Sequence, residues 1–300
     1  MNDVHNWSRS FAVRGIFWRN GLDWAIVNLP FYFHPFFIFF WTLFFFILAA
    51  PARRAVLHNL AVVLPRSSRP ANYLRAFRVF QNFAWTLTDA AVYKLFKAPF
   101  SYDLVGEDFL NELATGKGAI VLTAHMGNYD LGAVVFSERF DREIRMIRAP
   151  EPDEATAQHL DLSIEKAGAG AVKVDYNTAG NLLSFDLLGA LRRGEIISIQ
   201  GDRIVGEVAQ SPVTLFGKQV FLPTGPFVLS LVSKAPIHPL FITRSGYRRY
   251  KIIAREPIIS SEMNRSRDDE IACAMQRWCR VLEETITVYW PQWYAFTSIF

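Results

Sequence analysis

Three hundred residues, 51% of them hydrophobic, at a mean hydropathy of +0.13, make one large or two small domains and are rich in apolar residues for a soluble protein. The formal net charge of +4 suits an anionic membrane surface or an acidic partner and is too mild for a nucleic-acid-binding protein. The two cysteines, Cys273 and Cys279, lie six residues apart on one predicted helix, which argues against a disulfide or a metal site and fits a reducing compartment.

The first thirty residues interleave Arg9, Arg14 and Arg19 with Trp7, Phe11, Phe17, Trp18 and Trp24, a basic and aromatic composition suited to a membrane interface. Phe31 to Ala50 comes next, a 20-residue stretch in which His34 is the only side chain that titrates near neutral pH, and it closes at Pro51 before Arg53 and Arg54. As a helix, twenty apolar residues reach about 30 Å, enough to cross a bilayer. A helix starting at Pro35 has only 16 residues to Ala50, which equally suits a monotopic hairpin with the preceding Trp24 to Leu29. The block starts too late and runs too long for a cleavable signal. The flanking arginines favour a cytoplasmic position for the domain C-terminal to them.

Two helices are expected at Arg53 to Leu64 and Tyr73 to Phe96, separated by the breaker Pro65-Arg-Ser-Ser-Arg-Pro70. The second carries a wide apolar stripe from Leu74 through Phe80 and Leu87 to Leu95, which packing explains. Another helix closes at Asn111 to Thr115 before Gly116-Lys-Gly118. Beyond it the strand candidates are 119–124, 143–148, 171–174, 195–200, 236–242 and 250–254, with helices expected at 155–167, 178–193 and 224–234. Such alternation predicts an α/β domain with a mostly parallel central sheet flanked by helices, in which ligands bind beyond the carboxyl ends of the strands.

The stretch that carries most information is Ala119 to Asp130. An apolar strand delivers His125 into a turn at Gly127, Asn128 is placed to cap the next helix, and Asp130 falls in its first turn. Five residues on an ideal helix is roughly 140° around the axis, so His125 and Asp130 meet only if the chain turns between them. Asp130 is then expected to fix the imidazole tautomer and leave the other ring nitrogen to take a proton from a hydroxyl. Arg148 and the Gln200-Gly-Asp202-Arg203 turn also lie at strand ends. Phe216 to Pro226 reads as a strand, a turn and a strand leading into a helix capped at Thr224, whose first amides, from Gly225 onward, suit an anion or a developing oxyanion. The chain has no Gly-x-Ser-x-Gly elbow, His-Glu-x-x-His or Walker loop, so direct transfer assisted by a general base is the economical mechanism.

These residues resemble a known family. His-Met-Gly-Asn-Tyr-Asp, an HxxxxD motif at His125 and Asp130, is similar to that of the lysophospholipid acyltransferase superfamily, in particular its bacterial lipid A biosynthesis (late) acyltransferase branch. The likeness extends over most of the chain: Arg53 to Pro65 with Asn59-Leu60, Arg148 before Ala149-Pro150, Asp202 in its acidic block, Phe216 to Pro226 followed by Ala235 to Pro239, and Trp290-Pro-Gln-Trp-Tyr-Ala-Phe296. The resemblance implies acyl transfer from an acyl carrier protein or acyl-CoA thioester to a hydroxyl of a membrane lipid or glycolipid. It implies a bacterial inner-membrane location, with the catalytic domain on the cytoplasmic face and no metal or other cofactor. In that scheme His125 and Asp130 are catalytic, and Asn128, Arg148, Asp202, Arg203, Thr224 and Gly225 bind substrate. Arg142, Arg145, Arg244, Arg248, Arg249 and Lys251 are candidates for docking an acidic carrier protein. The expected organisation is a membrane-associated segment at 1–52 and an acyltransferase domain at 53–300. The domain comprises a helical lead-in (53–115), an α/β core (116–260) and a C-terminal helix and tail (261–300). The Gln-Gly-Asp-Arg block departs from the Asp-Gln or Asp-Glu form of lipid A enzymes and leaves ornithine lipids, other glycolipids and aryl-polyene lipids open as acceptors. Two rival readings are a non-catalytic membrane-bound accessory protein that binds lipid or carrier protein, and a thioester or lipid hydrolase.

Overall fold

The computed structural model describes residues 16–149, 172–177, 183–259 and 266–300. The helix expected at 155–167 and the first residues of the one at 178–193 lie outside that set. The N-terminal part is helical: α1 (Ile16–Asn28), a 3-10 turn (Phe31–Phe33), α2 (His34–Leu48), α3 (Ala50–Val63) and α4 (Arg69–Phe96). Pro35 sits in the first turn of α2, where its missing N–H costs nothing. Ser68 caps α4 by accepting from Ala71 N. Phe31–Leu48 is long and apolar enough to cross a membrane, and only 11% of that window is buried.

The packing shows why α1 and α2 do not stand apart. Phe39 and Phe46 meet Phe77 edge-on, and Phe46 meets Phe80, so α2 lies along α4. Leu22 and Ile26 of α1 bury against Ala91 and Val92 near the other end of α4, beside an Asp23–Lys94 ion pair of 3.5 Å. What remains outward is an apolar face that includes Phe31, Phe36 and Phe40, each about two-thirds exposed (71%, 66% and 64%).

The central sheet has seven strands in the order β1-β9-β8-β2-β5-β3-β4. They are β1 (Ser101–Val105), β2 (Ala119–Thr123), β3 (Ile144–Arg148), β4 (Val172–Tyr176), β5 (Ile196–Gln200), β8 (Ile237–Gly246) and β9 (Arg249–Ala254). All neighbouring pairs are parallel except β8 with β9, which form a hairpin. β2 is central and buried at every position, as its apolar run predicts. Its side chains alternate between two cores. Ile120 and Leu122 face one that includes Leu187, Phe227, Trp278 and Leu282, whereas Ala119 and Val121 face one with Leu110, Leu131, Val134 and Phe136. The first core is closed by α7 (Leu183–Arg193), α8 (Gly225–Ser233) and α9 (Arg267–Tyr289), the second by α5 (Glu107–Thr115) and α6 (Tyr129–Phe140). The result is a three-layer α/β/α arrangement.

The structure differs from expectation at three places in this region. β1 carries little apolar signal because it is an edge strand with alternate positions exposed and Asp103 at its centre. β8 runs to Gly246 rather than stopping at Ile242, since β9 pairs with it along that extra length. The turn expected after Phe216 is Phe216-Gly217 itself, both with positive φ (49° and 70°). It joins β6 (Gln210–Leu215) and β7 (Lys218–Pro223) into a separate antiparallel ribbon. Gln276 of α9 holds that ribbon through both the N–H and the C=O of Thr214.

Candidate active site

The parallel register sets which side chains meet. Thr123 pairs with Gln200, so His125 beyond β2 and Asp202 beyond β5 leave the sheet side by side, and Gly201 N donates to Thr123 O at 2.9 Å. After His125 the chain reverses at Gly127, whose φ of +55° suits glycine. A Cβ there would lie 1.6 Å from the Ile242 carbonyl oxygen, so this position accepts no larger residue without moving β8. Asn128 then caps α6, its Oδ1 accepting from Leu131 N at 3.3 Å. Its amide nitrogen points inward to Thr86 O (3.4 Å) and the Tyr250 hydroxyl (3.5 Å), so Asn128, at 2% exposure, builds the turn from inside.

His125 Nδ1 lies 2.7 Å from Asp202 Oδ1, and the His125 backbone N–H donates to the same oxygen at 3.1 Å. A carboxylate brings no proton of its own to this contact, so the proton sits on Nδ1 and Nε2 keeps its lone pair. Trp293 Nε1 donates to the other oxygen, Oδ2, at 3.0 Å. Asp202 is fully buried. Burial opposes its ionisation, but the adjacent His125 and Arg203 and the donors from His125 and Trp293 outweigh it and hold the carboxyl well below the usual carboxylate range. Arg203 Nε lies 3.1 Å from His125 Nδ1; since that nitrogen gives its one proton to Asp202 it cannot also accept, so the guanidinium acts there through its charge, while Nη1 donates to Tyr294 O at 2.9 Å. Burial, and after it the Arg203 charge, lower the His125 pKa below its ordinary value, against the opposing pull of Asp202 and Asp130. The two lowering effects favour the neutral ring over the imidazolium.

Asp130 takes a different partner from the one its spacing suggests. It forms an ion pair with Arg148 at the end of β3, while the His125 Nδ1 position goes to Asp202. The strand pairing accounts for the Asp202 contact: β5 lies directly beside β2, so the turn after β5 leaves the sheet next to His125, while Asp130 reaches the arginine that ends β3. Arg148, Asp202 and Arg203 thus gather with His125 and Asp130 at the carboxyl edge.

The Thr224–Gly225 segment gives less than its sequence suggests. Thr224 has helical backbone angles and its side chain caps nothing; Pro226 has no N–H, and Phe227 N donates to Thr224 O at 3.0 Å. That leaves Gly225 as the one amide among the first three helix residues with room for an anion. No hydrogen bond among the described residues joins this helix start to His125. Of the basic residues expected to dock a carrier protein, Arg142 is spent on backbone carbonyls, Arg145 on Glu195 and Asp175, and Arg244 on Asp89. Arg248, Arg249 and Lys251 remain, in and beside the β8–β9 hairpin at the carboxyl edge, with Arg249 engaged only in an exposed 3.5 Å contact to Asp103.

Two roles escaped the sequence reading. Trp293 and Asn59 lie in blocks that stand out only by their resemblance. Asn59, 1% exposed, clamps the tail: its Nδ2 donates to Ala295 O (3.0 Å) and Thr297 O (2.7 Å), and its Oδ1 accepts from Ile299 N (3.0 Å). Among the described residues no group of three or more His, Cys, Asp or Glu side chains is placed to hold a metal ion.

No curated protein matches the chain. A family model described as bacterial lipid A biosynthesis acyltransferase matches residues 5–300, nearly the full length. With a His–Asp pair, its aspartate fully buried, at the carboxyl edge of an α/β sheet and that match over almost every residue, the chain belongs to the bacterial lipid A biosynthesis acyltransferase family and is a lipid acyltransferase.

Proposed function

We propose that this protein moves a fatty acyl chain from a thioester donor, acyl carrier protein or acyl-CoA, to a hydroxyl of a membrane lipid or glycolipid of the lipid A type. The observation that carries the mechanism is the 2.7 Å contact of His125 Nδ1 with Asp202, because it orients the ring with Nε2 free to act as base. Nε2 takes the proton of the acceptor hydroxyl as its oxygen attacks the thioester carbonyl. The imidazolium that forms is stabilised by the Asp202 carboxylate. As the C–S bond breaks, the leaving thiolate takes the proton back, and no acyl-enzyme is required. Asp130 contributes through Arg148, holding that guanidinium at the cleft. Arg148 and Arg203 offer the cleft guanidinium donors that suit phosphate groups of donor or acceptor, their charges being balanced by Asp130 and Asp202.

The location that suits this chemistry is the cytoplasmic face of a bacterial inner membrane, with the apolar face of α1 and α2 in the lipid. In support, no acidic residue occurs between Asp23 and Asp89, while Arg53, Arg54, Arg66, Arg69, Arg75 and Arg78 do. Half-buried Arg248 and exposed Arg249 at the catalytic edge suit an acidic carrier protein.

The test is incubation of membranes carrying the protein with labelled acyl carrier protein or labelled acyl-CoA, with His125→Ala as control. Label entering lipid in the wild type, and falling by about 10²–10⁴-fold in the variant, is the expected result. Equal transfer by the variant removes His125 from the mechanism, and the donor that supplies label identifies itself.

A further inference from the structure

The Trp290-Pro-Gln-Trp-Tyr-Ala-Phe296 block, which supplies the Trp293 donor to Asp202, is threaded past the catalytic turn. α9 ends at Tyr289, a 3-10 turn covers Trp290–Gln292, and the chain then extends alongside Met126 as an isolated antiparallel bridge between Met126 and Trp293. Both backbone neighbours of that bridge are tied: Gly127 N donates to Gln292 O at 3.1 Å, and Tyr294 N donates to His125 O at 2.8 Å. Gln292 is locked in turn by Arg244, accepting from its N–H (2.6 Å) and donating to its C=O (2.8 Å). The strap therefore presents one side chain, Trp293, at a fixed height beside the site.

We propose that Trp293 is a positioning residue for the His125–Asp202 pair: its indole N–H fixes the Asp202 carboxylate so that Oδ1 faces His125, and it moderates the basicity of His125. The geometry is a three-point hold. Oδ1 takes both donors of His125, at 2.7 and 3.1 Å, and Oδ2 takes Trp293 Nε1 at 3.0 Å, so the carboxylate has no freedom to turn. Both Trp293 (2% exposed) and Asp202 (0%) are sealed from water, so no solvent molecule stands ready to replace the indole donor. The charged or titratable groups facing His125 are Asp202 and Arg203 from the β5–β6 connection and Asp130 and Tyr129 from α6; the strap adds only the neutral indole. Removing that donor leaves Asp202 a stronger acceptor for the Nδ1 proton. The imidazolium gains, and the His125 pKa rises.

This inference rests on His125 being the base, so the experiment carries a readout independent of transfer. Trp293→Phe is compared with replacement of Trp293 by 3-benzothienylalanine, which keeps the bicyclic shape and lacks the N–H. The pH dependence of diethylpyrocarbonate modification at His125, resolved by peptide mass spectrometry, gives the pKa of that one histidine. The expected result in the benzothienyl protein is an upward pKa shift with kcat about tenfold lower, KM unchanged, and no further loss when Asp202→Asn is already present. A pKa that stays or falls, or an unchanged kcat, overturns the proposal. If the Phe protein fails to fold, the shape-preserving replacement still decides. Wild type that titrates as described but moves no acyl label sinks the transfer reading and leaves the Trp293 result standing on its own.

Discussion

Arg142 and Arg148, six residues apart at the two ends of β3, are used in opposite ways. At the amino edge Arg142 gives Nη1 to Ala114 O (2.6 Å) and Gly116 O (2.8 Å) and Nη2 to Gly194 O (2.8 Å), closing the end of α5 and the entries to β2 and β5. Its charge also lies where the α5 dipole is negative. At the carboxyl edge Arg148 and Arg203 sit against Asp130, Asp202 and the imidazole of His125. An arginine satisfied by carbonyls holds strands in place, whereas one set among ionisable groups tunes them. A count of basic residues therefore says little about docking until the edge is known.

The largest effect that separates the edges is expected from Asp202→Asn. It removes the carboxylate that orients and charges His125, and kcat should fall by about 10²–10³-fold with the protein still folded. A loss below tenfold would leave Asp130 as the carboxylate that matters. Arg142→Ala is the counterpart at the other edge: it should lower stability by about 2 kcal/mol, read by thermal or denaturant unfolding, and leave activity per folded molecule unchanged. Activity lost without a stability change would break the contrast.

Next comes pH. The His125 pKa lies below its ordinary value because burial and Arg203 disfavour the cation, so the base form survives moderate acidification. The acid limb of kcat/KM, which reports the free enzyme, should therefore fall below about pH 6.5, activity being present above the limb and lost as pH drops through it. A limb at or above that value contradicts the assignment. The smallest of these effects is on membrane attachment: Phe36→Arg with Phe40→Arg alters only outward side chains and should shift protein from the pelleted membrane fraction to the supernatant while Phe46 keeps α2 on α4. Unchanged pelleting would show that another surface holds the protein to lipid.

Much of this was legible in the residues. The buried β2 run, the Gly127 turn and the Asn128 cap are local, and local rules about apolar runs, positive φ and capping read them correctly. Thr224 shows the limit of the same rules: it occupies a cap position, yet its helical backbone angles turn its side chain away from the cap bond. β1 was hidden because an edge strand needs only half an apolar pattern.

By itself, the sequence determined the α/β class, the order of most elements, the apolar N-terminal block and the placing of His125 at a strand end, since each arises from periodicity and turn chemistry over a few residues. Only the tertiary structure decided which carboxylate holds the imidazole. Asp130 is five residues away and Asp202 is 77, but parallel pairing of β2 with β5 makes the distant one the neighbour, and the strap from the far end of the chain supplies its third bond. Sequence separation carries no information about such contacts, because the strand register that creates them is set by the packing of the whole sheet.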